Sequence, residues 1–121
     1  MAEANERLIV IRHAPYRSNE LREGLDVALV SAAFGQAVDL LFLGQGIFAL
    51  LKEQQVGAPG QKATLPTINM LEMYDIENIL VPTETLQAFN IATDQLVEGV
   101  TLVPASDMPD LFQRYNYVLN F

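Results

Sequence analysis

The chain contains no cysteine, and His13 is the single histidine among its 121 residues. Without cysteine there can be no disulfide, no thiolate metal ligand and no thiol nucleophile in this chain. A Ser-His-Asp triad would have to use the one imidazole, and no nucleophile-elbow motif surrounds any serine. The composition therefore excludes thiol chemistry by this chain and gives no support to a serine hydrolase.

Basic residues are also scarce. Lysine and arginine number seven against fifteen aspartates and glutamates, which gives a formal net charge of −8. Sustained contact with a phosphate backbone depends on clustered lysine and arginine side chains. We therefore expect no direct binding of nucleic acid.

Long apolar runs are missing as well. No stretch of about 18 or more apolar residues is present, so no membrane span is expected. Residues 1–7 are polar and acidic and lack the regions of a signal peptide, which favours the cytoplasm. A chain of this length corresponds to one domain. We predict a flexible N-terminal tail at 1–7 and a single domain at 8–121.

The sequence does contain five short runs of apolar residues. Continuous rather than alternating apolar runs are typical of parallel strands whose two faces are both covered by helices. The predicted strands are Leu8–Arg12, Ala37–Leu43, Asn78–Val81, Val100–Val103 and Tyr117–Phe121.

Helical patterns separate these strands. Ser18 or Asn19 is placed to cap a first helix, and Gly35 is placed to end it. Its apolar residues recur at helical spacing on one stripe: Leu21, Leu25, Ala28, Leu29 and Ala32. Further helices are predicted at Ile47–Leu51, after Pro66, from Thr83 to Phe89 and from Ser106 to Tyr115, with a long polar loop at 52–63. The alternation predicts an α/β fold of three layers, α/β/α, around a five-stranded sheet.

Two motifs suggest chemistry, and each has a simpler interpretation. Arg12-His13 after the first strand resembles the start of the histidine phosphatases, but that reaction needs a second histidine and further arginines. Gly44-Gln45-Gly46 after the second strand could hold a small anion or nucleotide at a helix start, but it lacks the third glycine of a dinucleotide-binding motif. A polar loop and a tight turn are the favoured interpretations.

No metal or cofactor is expected, because carboxylates such as Asp75 and Glu77 have no diagnostic spacing. Asp39 is a lone carboxylate in a buried strand pattern, where it should face a sheet end or a partner.

Half of the residues are hydrophobic, which is more than a small monomer can easily bury. The apolar side chains of the helix after Pro66 wrap around more than one stripe. We expect Met70, Met73 and Tyr74 to lie at a subunit interface and the isolated chain to self-associate.

Several segments together resemble the TusC/DsrF branch of the DsrE/F-like sulfur-relay family. They occur in order over nearly the whole chain: Ala14-Pro15, Arg22-Glu-Gly-Leu-Asp26, Gly46-Ile-Phe-Ala-Leu-Leu51, Tyr74-Asp-Ile-Glu77 and Tyr115-Asn-Tyr-Val-Leu-Asn-Phe121. No single segment is specific, but the set at these spacings is. The resemblance implies an α/β/α fold with a five-stranded parallel sheet.

The resemblance also implies a function. In this family three related subunits form TusBCD or DsrEFH complexes, which pass persulfide sulfur between carrier proteins for tRNA wobble-uridine 2-thiolation or for sulfur oxidation. Leu80 stands here at the position of the sulfur-carrying cysteine of the paralogues. The resemblance therefore implies a non-catalytic structural subunit with no catalytic residue of its own, whose partners are TusB/DsrH-like and TusD/DsrE-like sister subunits. The tRNA pathway is favoured over sulfur oxidation.

Overall fold

A single parallel sheet organises the molecule. The structure is a computed structural model that describes residues 7–14, 19–52 and 65–121. Its five strands lie in the order β4-β3-β2-β1-β5, and all neighbours are parallel. They are β1 Arg7–Ile11, β2 Val38–Phe42, β3 Ile79–Pro82, β4 Val100–Val103 and β5 Tyr117–Asn120. These bounds confirm the five predicted strands to within one residue at each end.

Helices connect successive strands. Four are α-helical: α1 Glu20–Ala33, α2 Leu65–Met70, α3 Thr83–Ala88 and α4 Met108–Gln113. Four other segments in the described part of the chain are 3-10 helices: Gly44–Leu50, Leu71–Tyr74, Thr93–Gln95 and Ala105–Asp107. The α/β class predicted from the alternation is confirmed. Most of the predicted tail, Pro15 and Ser18, and nearly all of the predicted polar loop lie outside the described residues.

The first helix shows how local sequence determines an element. Leu21, Leu25 and Ala28 are buried along one stripe, as the spacing predicts. The helix ends at Ala33, and Gly35, two residues further on, has a φ of +84° that favours glycine. The amide N–H groups of Gly35 and Gln36 donate to the carbonyl groups of Ala32 and Ser31, which is the Schellman arrangement. Asn19 occupies the N-cap position, but its side chain makes no capping hydrogen bond.

The strand order places the helices on two faces. From β1 to β4 each new strand is added on the same side of the last, so right-handed crossovers put α1, α2 and α3 on one face. The connection from β4 to β5 runs back across the whole sheet and puts α4 on the other. The buried clusters follow this division. Leu25 and Leu86 pack on the first face, and Leu111 of α4 packs on the second with Val10 and Leu80.

In the part of the chain that the structure describes, no helix is both long enough and apolar enough to cross a membrane.

Candidate functional site

The carboxyl ends of the strands are the first place to look, because ligands of open parallel sheets bind there. Arg12 and His13 follow β1, Gly44 follows β2 after one intervening residue, and Pro82 ends β3. The sheet is continuous up to this edge. The amide N–H of Leu43 donates to the Ile11 carbonyl over 2.8 Å, and that of Arg12 donates to the Phe121 carbonyl over 2.8 Å.

His13 and Arg12 do not form a phosphate site. Nδ1 of His13 lies 3.0 Å from a carboxylate oxygen of Glu20 at the start of α1, and each side chain is a little under half exposed. Nε of Arg12 donates to Oδ1 of Asn120 over 3.2 Å, so its guanidinium is drawn toward β5. Arg12 and His13 are thus engaged by different neighbours, Asn120 of β5 and Glu20 of α1. The geometry favours the polar-loop interpretation of this motif.

The Gly44-Gln45-Gly46 turn is built for close packing. A Cβ on Gly46 would lie 2.3 Å from the carbonyl oxygen of Ile11, so only glycine fits against the end of β1. The Gly46 amide N–H already donates to the Leu43 carbonyl over 2.9 Å. The following 3-10 helix spans only Gly44–Leu50. The turn is therefore explained by its contact with β1, and nothing at it points to a bound anion.

Leu80 lies inside the sheet rather than in a loop. It is the second residue of β3, it is 7% exposed, and it pairs in register with Leu41 of β2. It belongs to the apolar cluster beneath α4, together with Val10 and Leu111. A saturated hydrocarbon side chain in this cluster has no nucleophilic atom, so sulfur cannot be accepted at this position.

A polar cluster around one buried carboxylate lies near the opposite end of the strands. Asp39 of β2 is 6% exposed, and its two carboxylate oxygens accept hydrogen bonds from different side chains. The Tyr115 hydroxyl donates over 2.6 Å, and Nδ2 of Asn78 donates over 3.0 Å. Burial, with the hydrogen bond to Asp39, raises the pKa of the Tyr115 hydroxyl. The sequence singles out Asp39 as a buried carboxylate but contains no sign of its partners, which are distant along the chain.

The three predicted interface residues are all exposed. Met73 is 80% exposed, and Met70 and Tyr74 are each about two-fifths exposed. The 3-10 helix Leu71–Tyr74 contacts α1, and Phe34 at the end of α1 is 82% exposed. An apolar surface is thus present where the sequence predicts one.

Among the residues with a described position, no group of three or more histidines, aspartates and glutamates is arranged to hold a metal ion.

Comparison with known proteins gives consistent matches. The model of the DsrE/DsrF-like family matches residues 6–121. A protein of Pseudomonas aeruginosa named Protein TusC homolog is 31% identical, over 93% of this chain and 94% of its own length. The Intracellular sulfur oxidation protein DsrF of Allochromatium vinosum is 38% identical, over 72% of this chain and 64% of its own length. The crystal structure of the ychN protein from E. coli superposes with a TM-score of 0.82 at 19% identity, over 97% of this chain and 99% of that one, which shows the shared fold.

Proposed function

The chain belongs to the DsrE/DsrF-like family, and from that membership we propose that it is a non-catalytic subunit of a TusBCD/DsrEFH-type sulfur-relay complex. In such a complex a sister subunit carries the persulfide sulfur, and this chain supports that subunit and shapes the assembly. The proposed partners are one TusB/DsrH-like and one TusD/DsrE-like chain. The family match also supports treating residues 8–121 as one DsrE/F-like domain.

The observation that carries the proposal is the missing thiol within a full-length family match. A sulfane atom is taken up and released by a cysteine thiolate, and the chain has no cysteine. Leu80, which we place at the sulfur-carrying position of the paralogues, is buried beneath α4. This packing supports a structural role for the position.

We further propose that the pathway is 2-thiolation of wobble uridine in tRNA, and that the subunit works in the cytoplasm, where tRNA is modified. The TusC homolog from Pseudomonas aeruginosa aligns over nearly the whole of both chains, whereas the match to DsrF covers about two thirds of that protein. A sulfur-oxidation role is the alternative within the same family. The strongly acidic chain would act through protein partners rather than by binding tRNA directly.

Interface residues are part of the proposal. Met70, Met73 and Tyr74 present exposed apolar surface that a sister subunit would bury. Exposed methionines adapt their shape to a facing surface, which suits a contact between related but non-identical subunits.

Co-expression with TusB-like and TusD-like chains from the same organism tests the complex. We expect all three to co-elute from size exclusion in constant stoichiometry, and separate elution would refute the proposal. Deletion of the gene should lower 2-thiouridine in bulk tRNA, and the wild-type chain should restore it. Unchanged 2-thiouridine together with an intact complex would favour the sulfur-oxidation alternative.

A further inference from the structure

A groove lies near the amino ends of β3 and β4, away from the edge that carries His13. It has a volume of about 670 Å³, within the roughly 300–1,000 Å³ of many ligand pockets. Its walls come from α2 and the following 3-10 helix on one side and from the approach to β4 on the other. Its lining includes three isoleucines and three glutamates: Ile68, Ile76, Ile79, Glu72, Glu77 and Glu98.

The floor of the groove is apolar and its rim is acidic. Ile68, Ile76 and Ile79 belong to the main hydrophobic cluster and are 2–7% exposed, so the floor is the outer edge of the core. The exposed carboxylates of Glu72, Glu77 and Glu98 line the same groove, and Lys52 is the one cation among its described lining residues. An occupant that matches both features carries apolar side chains next to positive charge.

The groove continues toward the β4 edge. A second cavity of about 260 Å³ shares Lys52, Val97, Glu98 and Gly99 with it and extends to Val100 and Leu102 of β4. β4 is an edge strand, and no other strand in the described part of the chain pairs with its outer side. An extended peptide beside such a strand can hydrogen-bond to the free backbone edge while its side chains enter the adjacent cavity. The combined shape favours a length of chain over a compact ligand.

We propose that this groove binds an extended segment of a partner protein in which aliphatic side chains alternate with lysine or arginine. The aliphatic groups contact the isoleucine floor, and the cationic groups pair with the three glutamates. A second copy of this acidic chain would bring like charge to the rim, and nucleic acid would be repelled by it. The inference does not depend on the relay role, because it follows from the groove alone.

The test uses the full chain with isoleucine methyl groups labelled for NMR. The probe is a seven-residue synthetic peptide that alternates arginine and leucine. Titration should shift the methyl signals of Ile68, Ile76 and Ile79 and leave those of Ile9 and Ile11 in β1 in place. The interaction should weaken as salt is added, because the rim charges are exposed to solvent.

Charge neutralisation locates the site. The triple variant Glu72→Gln, Glu77→Gln and Glu98→Gln should bind the peptide at least about tenfold more weakly than the wild type, because it lacks the carboxylates that pair with arginine.

A matched triple variant separates the groove from net charge. Glu23→Gln, Asp26→Asn and Asp110→Asn remove the same number of carboxylates elsewhere, on α1 and α4. Its affinity should stay within about twofold of the wild type. Equal weakening by both triple variants would mean non-specific attraction to an acidic protein and would overturn the proposal.

Two further probes define the occupant. A peptide with alanine in place of leucine should bind about tenfold more weakly, since it loses aliphatic contact with the floor. Spermine alone should cause much smaller shifts at the same concentration. Equal shifts with spermine, or no shift with the arginine–leucine peptide at millimolar concentration, would overturn the assignment of a peptide segment.

Discussion

At the scale of single residues, Asp39 brings a carboxylate into the sheet face beneath α4. Its partners Asn78 and Tyr115 lie 39 and 76 positions further along the chain. The sequence indicates that Asp39 is buried, because it stands in an apolar strand. It cannot identify the partners, because they meet only after the β4–β5 connection has crossed the sheet. The cluster ties this long connection to the centre of the fold.

Replacing Tyr115 with phenylalanine should destabilise the fold by about 1–3 kcal/mol, because a buried carboxylate oxygen loses its donor. Urea denaturation followed by circular dichroism measures the change. Tyr117→Phe is the control, since that side chain is 55% exposed and keeps its ring over the Arg7 guanidinium. Equal losses in the two variants would contradict the assigned role of the Asp39 hydrogen bond.

The Tyr115 hydroxyl should also make the free energy of unfolding depend on pH in the alkaline range. Its pKa is raised in the folded state, so the unfolded chain ionises first, near pH 10. The contribution of Tyr115 is therefore complete below about pH 10 and declines as the pH rises through the range up to the folded pKa. Between pH 8 and 11 the free energy of unfolding, measured by urea denaturation, should fall more steeply with pH for the wild type than for Tyr115→Phe. Parallel curves would show that Tyr115 is not the group responsible.

Position 80, which we propose to be the counterpart of the paralogues' sulfur-carrying cysteine, can be tested for access to solvent. A cysteine introduced by Leu80→Cys should react with a thiol reagent at least about a hundredfold more slowly than one introduced by Met73→Cys. The native residues are 7% and 80% exposed, and burial in apolar surroundings raises the pKa of a thiol. Comparable rates would mean that position 80 is open to solvent and that the packing beneath α4 does not close it.

At the scale of elements, hydrophobic patterning predicts strands well and 3-10 segments poorly. β4 has the predicted bounds, and the other strands differ by one residue at one or both ends. A buried parallel strand is a short run of adjacent apolar residues and is visible in the sequence. By contrast, the sequence predicts a helix only from Ile47, whereas a 3-10 helix already begins at Gly44. That earlier start depends on the contact of Gly46 with β1, which no local pattern contains.

The Gly46 contact makes a sharp prediction about this element. Gly46→Ala should destabilise the chain by about 3 kcal/mol or more, because the new methyl group would meet the backbone of Ile11 at 2.3 Å. Gly35→Ala is a suitable comparison. Gly35 has a positive φ, but apart from Gly35 and its two chain neighbours no described residue has an atom within 4 Å of the place that a Cβ would occupy, so the change should cost about 1 kcal/mol. If urea denaturation showed similar losses of unfolding free energy for Gly46→Ala and Gly35→Ala, the close packing of Gly46 against Ile11 would not explain the result.

At the scale of the whole molecule, burial is uneven. The described strands β1, β2 and β3 are almost completely covered, whereas large apolar side chains remain exposed on and beside α1. The presence of exposed apolar side chains can be predicted from composition, since half of the residues are hydrophobic. Their position can be anticipated only in part. The predicted helix at Pro66 has apolar side chains on more than one face, and this predicts that Met70, Met73 and Tyr74 are exposed. The exposure of Phe34 could not be predicted in this way, because Phe34 lies beyond the apolar stripe of α1.

These exposed side chains should make the isolated chain associate with itself. Sedimentation velocity at micromolar concentration should show species larger than a monomer, because contact between two copies would remove exposed apolar surface from water. Met73→Gln combined with Phe34→Gln should shift the distribution toward monomer, since these are the two most exposed large apolar side chains described. Leu102→Gln on β4, at 37% exposure, is the control and should leave the distribution unchanged. A strictly monomeric wild type would contradict the prediction, and a response confined to Leu102→Gln would place the self-contact at the β4 edge instead.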